Sequence, residues 1–167
     1  MNASTIQPVG ACDLAVLAEL NERCFAPVDG EASPGTPWSA RSLAEIMALP
    51  GVFGFLAVAE GVPVGFALAQ VLFEEAELLT LGVAPPARRS GHGENLLKVA
   101  VAEASRRGAQ RITLEVAEHN RTALTLYRRR GFQALSRRRN YYQTADGGRA
   151  DAIILALELE QAGHPGP

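Results

Sequence analysis

Apolar residues recur along the chain at two spacings, every second position and every third or fourth. The changes of spacing divide it into strands and helices. A short apolar stretch at 6–9 predicts a first strand. Asp13 suits the N-cap of a helix running to about residue 25, with Leu14, Leu17, Ala18 and Leu20 on one face. Residues 26–37 are rich in Pro, Gly and Asp and predict a loop. Ser39 suits the N-cap of a helix over 40–49, which Pro50-Gly51 stops. The runs 52–59 and 63–73 are strand-like and joined by Glu60-Gly61-Val62, which predicts a hairpin. Glu74-Glu75 marks the next turn, and 78–83 predicts a third strand of this meander. Leu97, Val101 and Ala104 share one face of a helix over 94–107 that ends at Gly108. In 111–116, Ile112, Leu114 and Val116 alternate with Thr113 and Glu115, the period of a strand. Asn120 suits the N-cap of a short helix with Ala123, Leu124 and Tyr127 inward and Gly131 as its stop. The runs 132–139 and 152–159 predict a final strand pair, and 163–167 a frayed tail.

This order predicts an α/β fold, a mixed sheet with helices on its faces. The unit from 78 to 116 is expected to be a right-handed crossover, which makes its two strands parallel. With 167 residues, no repeats and no linker, one domain over 1–160 is expected, followed by a tail at 161–167. A net charge of −2 gives no global attraction to nucleic acid or to a membrane. Charge is uneven, however: Arg128, Arg129, Arg130 and Arg137, Arg138, Arg139 crowd one segment, either as a solvated face or as a contact for an acidic ligand. Cys12 and Cys24 fall in one predicted helix, match no zinc or redox spacing, and read as small buried hydrophobes. Without a disulfide framework a cytoplasmic setting is expected. No leader pattern opens the chain and no apolar run approaches the roughly 18 residues that span a bilayer, so no membrane partner is expected. His92, His119 and His164 lack metal-ligand spacing, and no metal is expected.

The stretch 81–97 carries the clearest chemistry. A strand end and a turn at Pro85-Pro86 lead into a basic, glycine-spaced loop (Arg88 to Gly93), and a helix opens directly after it. Uncovered backbone N–H groups and a helix N-terminus make a seat for a phosphate or pyrophosphate. A Walker loop is excluded, because no Gly-Lys-Ser/Thr exists. The dinucleotide fingerprint fails as well, since Leu96 stands where its third glycine belongs.

Val83-Ala84-Pro85 followed by Arg88-Arg89-Ser90-Gly91-His92-Gly93 resembles the acetyl-CoA-binding signature of the GCN5-related N-acetyltransferases. Leu114-Glu115-Val116, Asn120, Ala123-Leu124, Leu126-Tyr127 and Gly131-Phe132 resemble the strand and helix that follow it in that family. The ending (Arg139-Asn140-Tyr141-Tyr142, Asp146-Gly147, Asp151-Ala152) and Pro37-Trp38-Ser39 are similar to the branch that acetylates ribosomal proteins at an N-terminal alanine. The likeness runs from about residue 72 to 159. The loop departs from the usual pattern at Arg88, commonly Gln, at His92, commonly aliphatic, and at Glu94, commonly Arg or small. A carboxylate at 94 is unfavourable beside a pyrophosphate unless it turns away.

The resemblance implies a mostly antiparallel central sheet with helices on both faces, and acetyl-CoA as cosubstrate. Its seat would be formed by Leu81, Gly82, Val83, Arg88, Arg89, Ser90, Gly91, His92, Gly93, Glu94, Asn120 and Tyr127. It implies the N-terminus of a ribosomal protein as acceptor, bordered by Trp38, Tyr141 and Tyr142, and a monomer or weak dimer. Acetyl transfer to an amine needs the amine neutral and the leaving thiolate protonated. An α-amine has a reference pKa of about 8 against about 10.4 for lysine, so a modest base suffices. Glu115, an acid in mid-strand, is an exposed carboxylate on its own pattern and the general base on the resemblance; Glu75 and Glu77 are alternatives. Tyr127 is a core tyrosine by position and the general acid on the resemblance. A small-molecule amine, a lysine side chain and a non-catalytic acyl-CoA-binding role stay open. Direct nucleic-acid binding is not expected, because stacking aromatics are confined to Tyr141-Tyr142.

Overall fold

The computed structural model describes residues 4–26, 37–144 and 146–160. The elements run β1 (Thr5–Pro8), α1 (Leu14–Phe25), α2 (Ala40–Met47), β2 (Val52–Ala59), β3 (Val62–Leu72) and β4 (Glu75–Val83). Then follow α3 (His92–Arg106), β5 (Arg111–Ala117), α4 (Arg121–Arg129), β6 (Gln133–Gln143) and β7 (Arg149–Glu158). The seven strands form one sheet in the order β1-β2-β3-β4-β5-β7-β6. Every pairing is antiparallel except β4 with β5, which is parallel, as the crossover through α3 requires. This is the mixed, mostly antiparallel sheet that the resemblance implies.

β3 shows how the two layers form. Its side chains alternate in direction and it is buried on both faces. Ala67 and Ala69 join the cluster under α3 and α4, with Leu97, Ala100, Ala104, Leu124 and Tyr127. Phe66 and Leu68 join the cluster under α1 and α2, with Leu17, Leu20, Cys24 and Leu43. The alanines on one face let α3 lie close to the sheet, and the large residues on the other fill the space below α1. At Gly82, β4 lies close against α1. A Cβ there would come within 2.8 Å of the Cys24 Cβ and 3.3 Å of a Phe66 ring carbon. Gly82→Ala is therefore expected to destabilise the fold by about 1–3 kcal/mol through overpacking. Thermal unfolding should register this as a Tm drop of roughly 2–4 °C per kcal/mol; an unchanged Tm would show that α1 can shift freely.

Several boundaries differ from the sequence pattern. α3 begins at His92 rather than 94, and β4 at Glu75 rather than 78. Ser39 caps α2 as expected, accepting the Ser42 N–H at 3.0 Å. Asp13 stands at the start of α1 but makes no side-chain cap. Its Oδ2 accepts the Gly10 N–H at 2.7 Å instead, closing the helical turn over Ala11–Asp13. Cys12 falls in that turn and is exposed, contrary to the buried position expected, whereas Cys24 is buried. Most of the 26–37 loop and the tail at 161–167 lie outside the described residues.

Candidate active site

The sheet is split in its middle. β4 and β5 pair over four positions only, from Glu75 with Arg111 to Leu78 with Leu114. Beyond them β4 continues to Val83 along β3, and β5 continues to Ala117 along β7. The parting begins at a bulge: Leu68 pairs with Thr80 and Ala69 with Leu78, which leaves Leu79 without a partner on β3. A bulge bends its strand and increases the twist, which swings the end of β4 away from β5. Half of the backbone N–H and C=O groups over 80–83 point away from β3 and line the resulting cleft.

The cleft side of β4 leads into the glycine loop. Arg89 and Gly91 adopt left-handed conformations, with φ of 63° and 85°. Gly91 caps α3, and the first intrahelical bond is Asn95 N–H to Gly91 C=O at 3.0 Å. The N–H groups of the first turn thus have no partner within the helix. Gly93 belongs to this turn rather than to the loop. A Cβ there would stand 3.6–3.7 Å from Val83, Leu126 and Leu81, an ordinary contact, so the glycine leaves a small gap between β4 and α4.

The side chains of the loop have other work. Arg88 donates from Nε to the Val83 carbonyl at 3.1 Å and from Nη2 to the Cys24 carbonyl at 3.0 Å, bracing the loop against β4 and α1. His92 is buried, with Nδ1 3.0 Å from the Ser4 hydroxyl, so its ring turns into the fold. Glu94 turns to Arg130 of the α4 C-terminus at 3.4 Å and to Lys98 at 3.9 Å. That pairing offsets the carboxylate at a position where an anion would otherwise be repelled. Arg89 and Ser90 are exposed.

Glu115 lies on the far bank, on the part of β5 past the last β4 pairing. Its side chain is 24% exposed, so solvent reaches it. Both oxygens are engaged from β6: Tyr142 donates its hydroxyl to Oε1 at 3.2 Å, and Arg138 sits 3.5 Å from Oε2. Burial first, and then the Glu115 charge, pushes the Tyr142 phenol well above its ordinary range. The other candidate acids lie in the paired stretch short of the cleft, where Glu75 is tied to Arg111 at 3.0 Å.

Asn120 caps α4 by accepting the Ala123 N–H at 3.1 Å, and this cap sets the helix that carries Tyr127. The Tyr127 ring packs against Phe132, with centroids 5.8 Å apart, and only 7% of the residue is exposed. Burial pushes its phenol up to about 12. Among the described residues its hydroxyl has no hydrogen-bond partner, yet no fully buried side-chain oxygen or nitrogen is left unpaired. The hydroxyl oxygen is therefore touched by solvent.

Trp38 packs with the cluster beneath α1 and α2, and its carbonyl accepts from the buried Asn21 at 2.7 Å. Tyr141 is half exposed and meets Tyr142 edge-on at 5.1 Å, with the Arg138 guanidinium 5.4 Å from its ring centre. The partnership of Glu115 with Arg138 and Tyr142 had no signal in the sequence, because it depends on the register of β6. Among the described residues no group of three or more His, Cys, Asp or Glu could hold a metal ion, and no helix is long and apolar enough to cross a membrane.

Comparison with known proteins bears on what such a split sheet does. The acetyltransferase (GNAT) family model matches residues 14–132. The [ribosomal protein bS18]-alanine N-acetyltransferase of Escherichia coli strain K12 is 34% identical over 156 residues, covering 93% of this chain and 98% of the relative. The crystal structure of the ribosomal-protein-S18-alanine N-acetyltransferase from Escherichia coli superposes with a TM-score of 0.85 at 33% identity, covering 99% of each chain. Arabidopsis thaliana NAA60 in complex with acetyl-CoA shares the fold, with a TM-score of 0.77 at 18% identity over 94% of this chain and 99% of that one.

Proposed function

The chain belongs to the acetyltransferase (GNAT) family, and from that premise we propose that it moves the acetyl group of acetyl-CoA to the N-terminal α-amine of a ribosomal protein that begins with alanine. The observation that carries this reading is the parting of β4 from β5 after Leu78 and Leu114, which leaves an unpaired strand edge running to the free N-terminus of α3. The acceptor follows the relatives at one-third identity that span nearly the whole chain.

Acetyl-CoA supplies the activated thioester. The backbone groups of Leu81 and the N–H of Val83, on either side of Gly82, match the amides of a pantetheine arm by strand-like pairing, while the Val83 carbonyl is taken by Arg88. The N–H groups from Arg89 to Glu94 suit its pyrophosphate, since a helix N-terminus needs no particular side chain to hold an anion. Arg88 acts on this seat by bracing it, and Asn120 acts by setting α4. Glu115 accepts the proton of the amine, directly or through a water. As the amine nitrogen bonds to the acetyl carbon and the C–S bond breaks, Tyr127 donates to the sulfur leaving as the CoA thiolate. At about 12 its phenol is a weaker acid than a thiol of about 8.5, so the proton is shared in the hydrogen bond rather than released early. Trp38, Tyr141 and Tyr142 border the acceptor.

Gly93→Leu is expected to fill the gap between Leu81, Val83 and Leu126 and to weaken acetyl-CoA binding by about tenfold or more, roughly 1.4 kcal/mol or above. Gly93→Ala should bind nearly as the parent does. Calorimetry finding no loss for the leucine variant would remove this gap from the seat. The function itself is tested by acetyl-CoA turnover on peptides beginning with Ala, Ser, Gly or Met, beside an N-blocked lysine peptide. Preference for the Ala-initiated end is expected. Preference for the lysine peptide, or turnover of none, would overturn the acceptor proposed.

A further inference from the structure

Beside the cleft, the last two strands fall out of step. Arg138 pairs with Ala152 and Tyr142 with Ala150, so β6 passes through three residues where β7 has only Asp151. Asn140, at the centre of this bulge, has a φ of 54°, a left-handed conformation that asparagine tolerates better than most residues. Asp151 fastens the bulge at two points. Its Oδ1 accepts the Asn140 N–H at 2.9 Å and its Oδ2 accepts from Arg137 at 2.9 Å. Glu118, just past β5, closes the ring: Oε1 accepts the Asp151 N–H and Oε2 accepts from Arg137, both at 3.1 Å. The Asn140 N–H first, and then Arg137, hold the Asp151 carboxyl below its usual range.

The bulge decides what reaches Glu115. Two extra residues draw Tyr142 back along β6 by roughly 6.6 Å, at about 3.3 Å per residue. They also keep it on the same face as Arg138. In unbroken pairing Asn140 would stand opposite Ala150, and Tyr142 would lie a full repeat farther on. Ala150 and Ala152 are small and buried, so the side chains of Tyr142 and Arg138 can lean across β7 to the Glu115 carboxylate.

We propose that Asp151 is a positioning residue for acetyl transfer: by pinning the β6 bulge it aims Tyr142 and Arg138 at Glu115. The proposal rests on the reading of Glu115 as the base. Asp151 makes none of the contacts to the Glu115 carboxylate itself, which come from Tyr142 and Arg138. Its effect on the reaction should therefore pass through them.

The test is a double-mutant cycle of Asp151→Ala and Tyr142→Phe, reading kcat and KM on an Ala-initiated peptide, with acetyl-CoA affinity and Tm for each variant. Asp151→Ala is expected to lower kcat/KM about tenfold and to leave the acetyl-CoA Kd within about twofold. Tyr142→Phe should cost a similar factor, and the double variant should fall well short of the product, because residues coupled through one backbone displacement do not add. Losses that multiply in the double variant, or Asp151→Ala at the parental rate, would overturn the proposal. If the alanine variant does not fold, Asp151→Asn takes its place in the same cycle. It keeps an acceptor for the Asn140 N–H and gives up the charge that holds Arg137. A smaller loss still coupled to Tyr142→Phe is then expected, and a loss that multiplies would overturn the proposal. Glu115→Gln measured in parallel keeps the two readings apart: undiminished turnover there removes the base, while the coupling between 151 and 142 is decided by its own cycle.

Discussion

Glu115→Gln is expected to lower kcat/KM on an Ala-initiated peptide by about 10²- to 10⁴-fold, the range for loss of a positioned general base. The loss should be greatest below pH 8. An α-amine of reference pKa about 8 is increasingly protonated as the pH falls, so the reaction depends more on a group that takes the proton away. Above about pH 9 most of the amine is already neutral, and the ratio of parent to variant should shrink. Glutamine keeps the size of the side chain, and its Oε1 can still accept from the Tyr142 hydroxyl, which stands 3.2 Å from that atom in the parent. What it loses is basicity, together with the charge facing Arg138 at 3.5 Å. Rate profiles from pH 6 to 9.5 check this. Parallel profiles for parent and variant would remove Glu115 as the base, whatever the size of the overall loss.

The partners of Glu115 also mark the limit of what could be read from the chain. The alternation of Ile112, Leu114 and Val116 makes a strand and puts Glu115 on the other face, and local pattern suffices for that. The right-handed crossover follows from chirality, and β4 and β5 are indeed parallel. The Ser39 and Asn120 caps are legible because a capping side chain answers to N–H groups only three residues away. The bulges are not legible. Leu79 and the residues opposite Asp151 differ from their neighbours in nothing that a period of two can express, and their displacement exists only relative to the partner strand. For the same reason Arg137, Arg138 and Arg139 read in sequence only as part of a crowded basic segment, a solvated face or a contact for an acidic ligand. In the fold, Arg137 serves Asp151 and Glu118 while Arg138 reaches Glu115.

The glycine loop shows the same division. Its backbone is legible from Gly91 and the helix start. The destinations of its side chains are not, because Arg88 reaches 64 positions back to Cys24 and His92 reaches 88 back to Ser4. Glu94 looked unfavourable for a pyrophosphate seat on charge alone. The sheet and helices bring Arg130 to it from 36 positions away. Each departure from the family pattern in this loop thus has a tertiary partner that holds its side chain in place.

Tyr127→Phe is expected to lower kcat about 10²- to 10³-fold, as removal of a donor aimed at developing charge does, while the acetyl-CoA Kd stays within about twofold. The fold makes this substitution a clean probe. The Tyr127 hydroxyl has no hydrogen-bond partner among the described residues, so its removal breaks no protein hydrogen bond. Phenylalanine keeps the ring that packs against Phe132. Stability should therefore change little, where loss of a paired hydroxyl would cost about 1 kcal/mol. Burial holds the phenol at about 12, so the parent keeps this donor protonated from pH 6 to 10, and the rate deficit of the variant should be constant across that range. The constant deficit contrasts with the pH-dependent one expected for Glu115→Gln, and it separates a fixed hydrogen-bond donor from a group that titrates. Turnover equal to the parent would remove Tyr127 from the chemistry, and a deficit that disappears toward pH 10 would identify the donor as some other group.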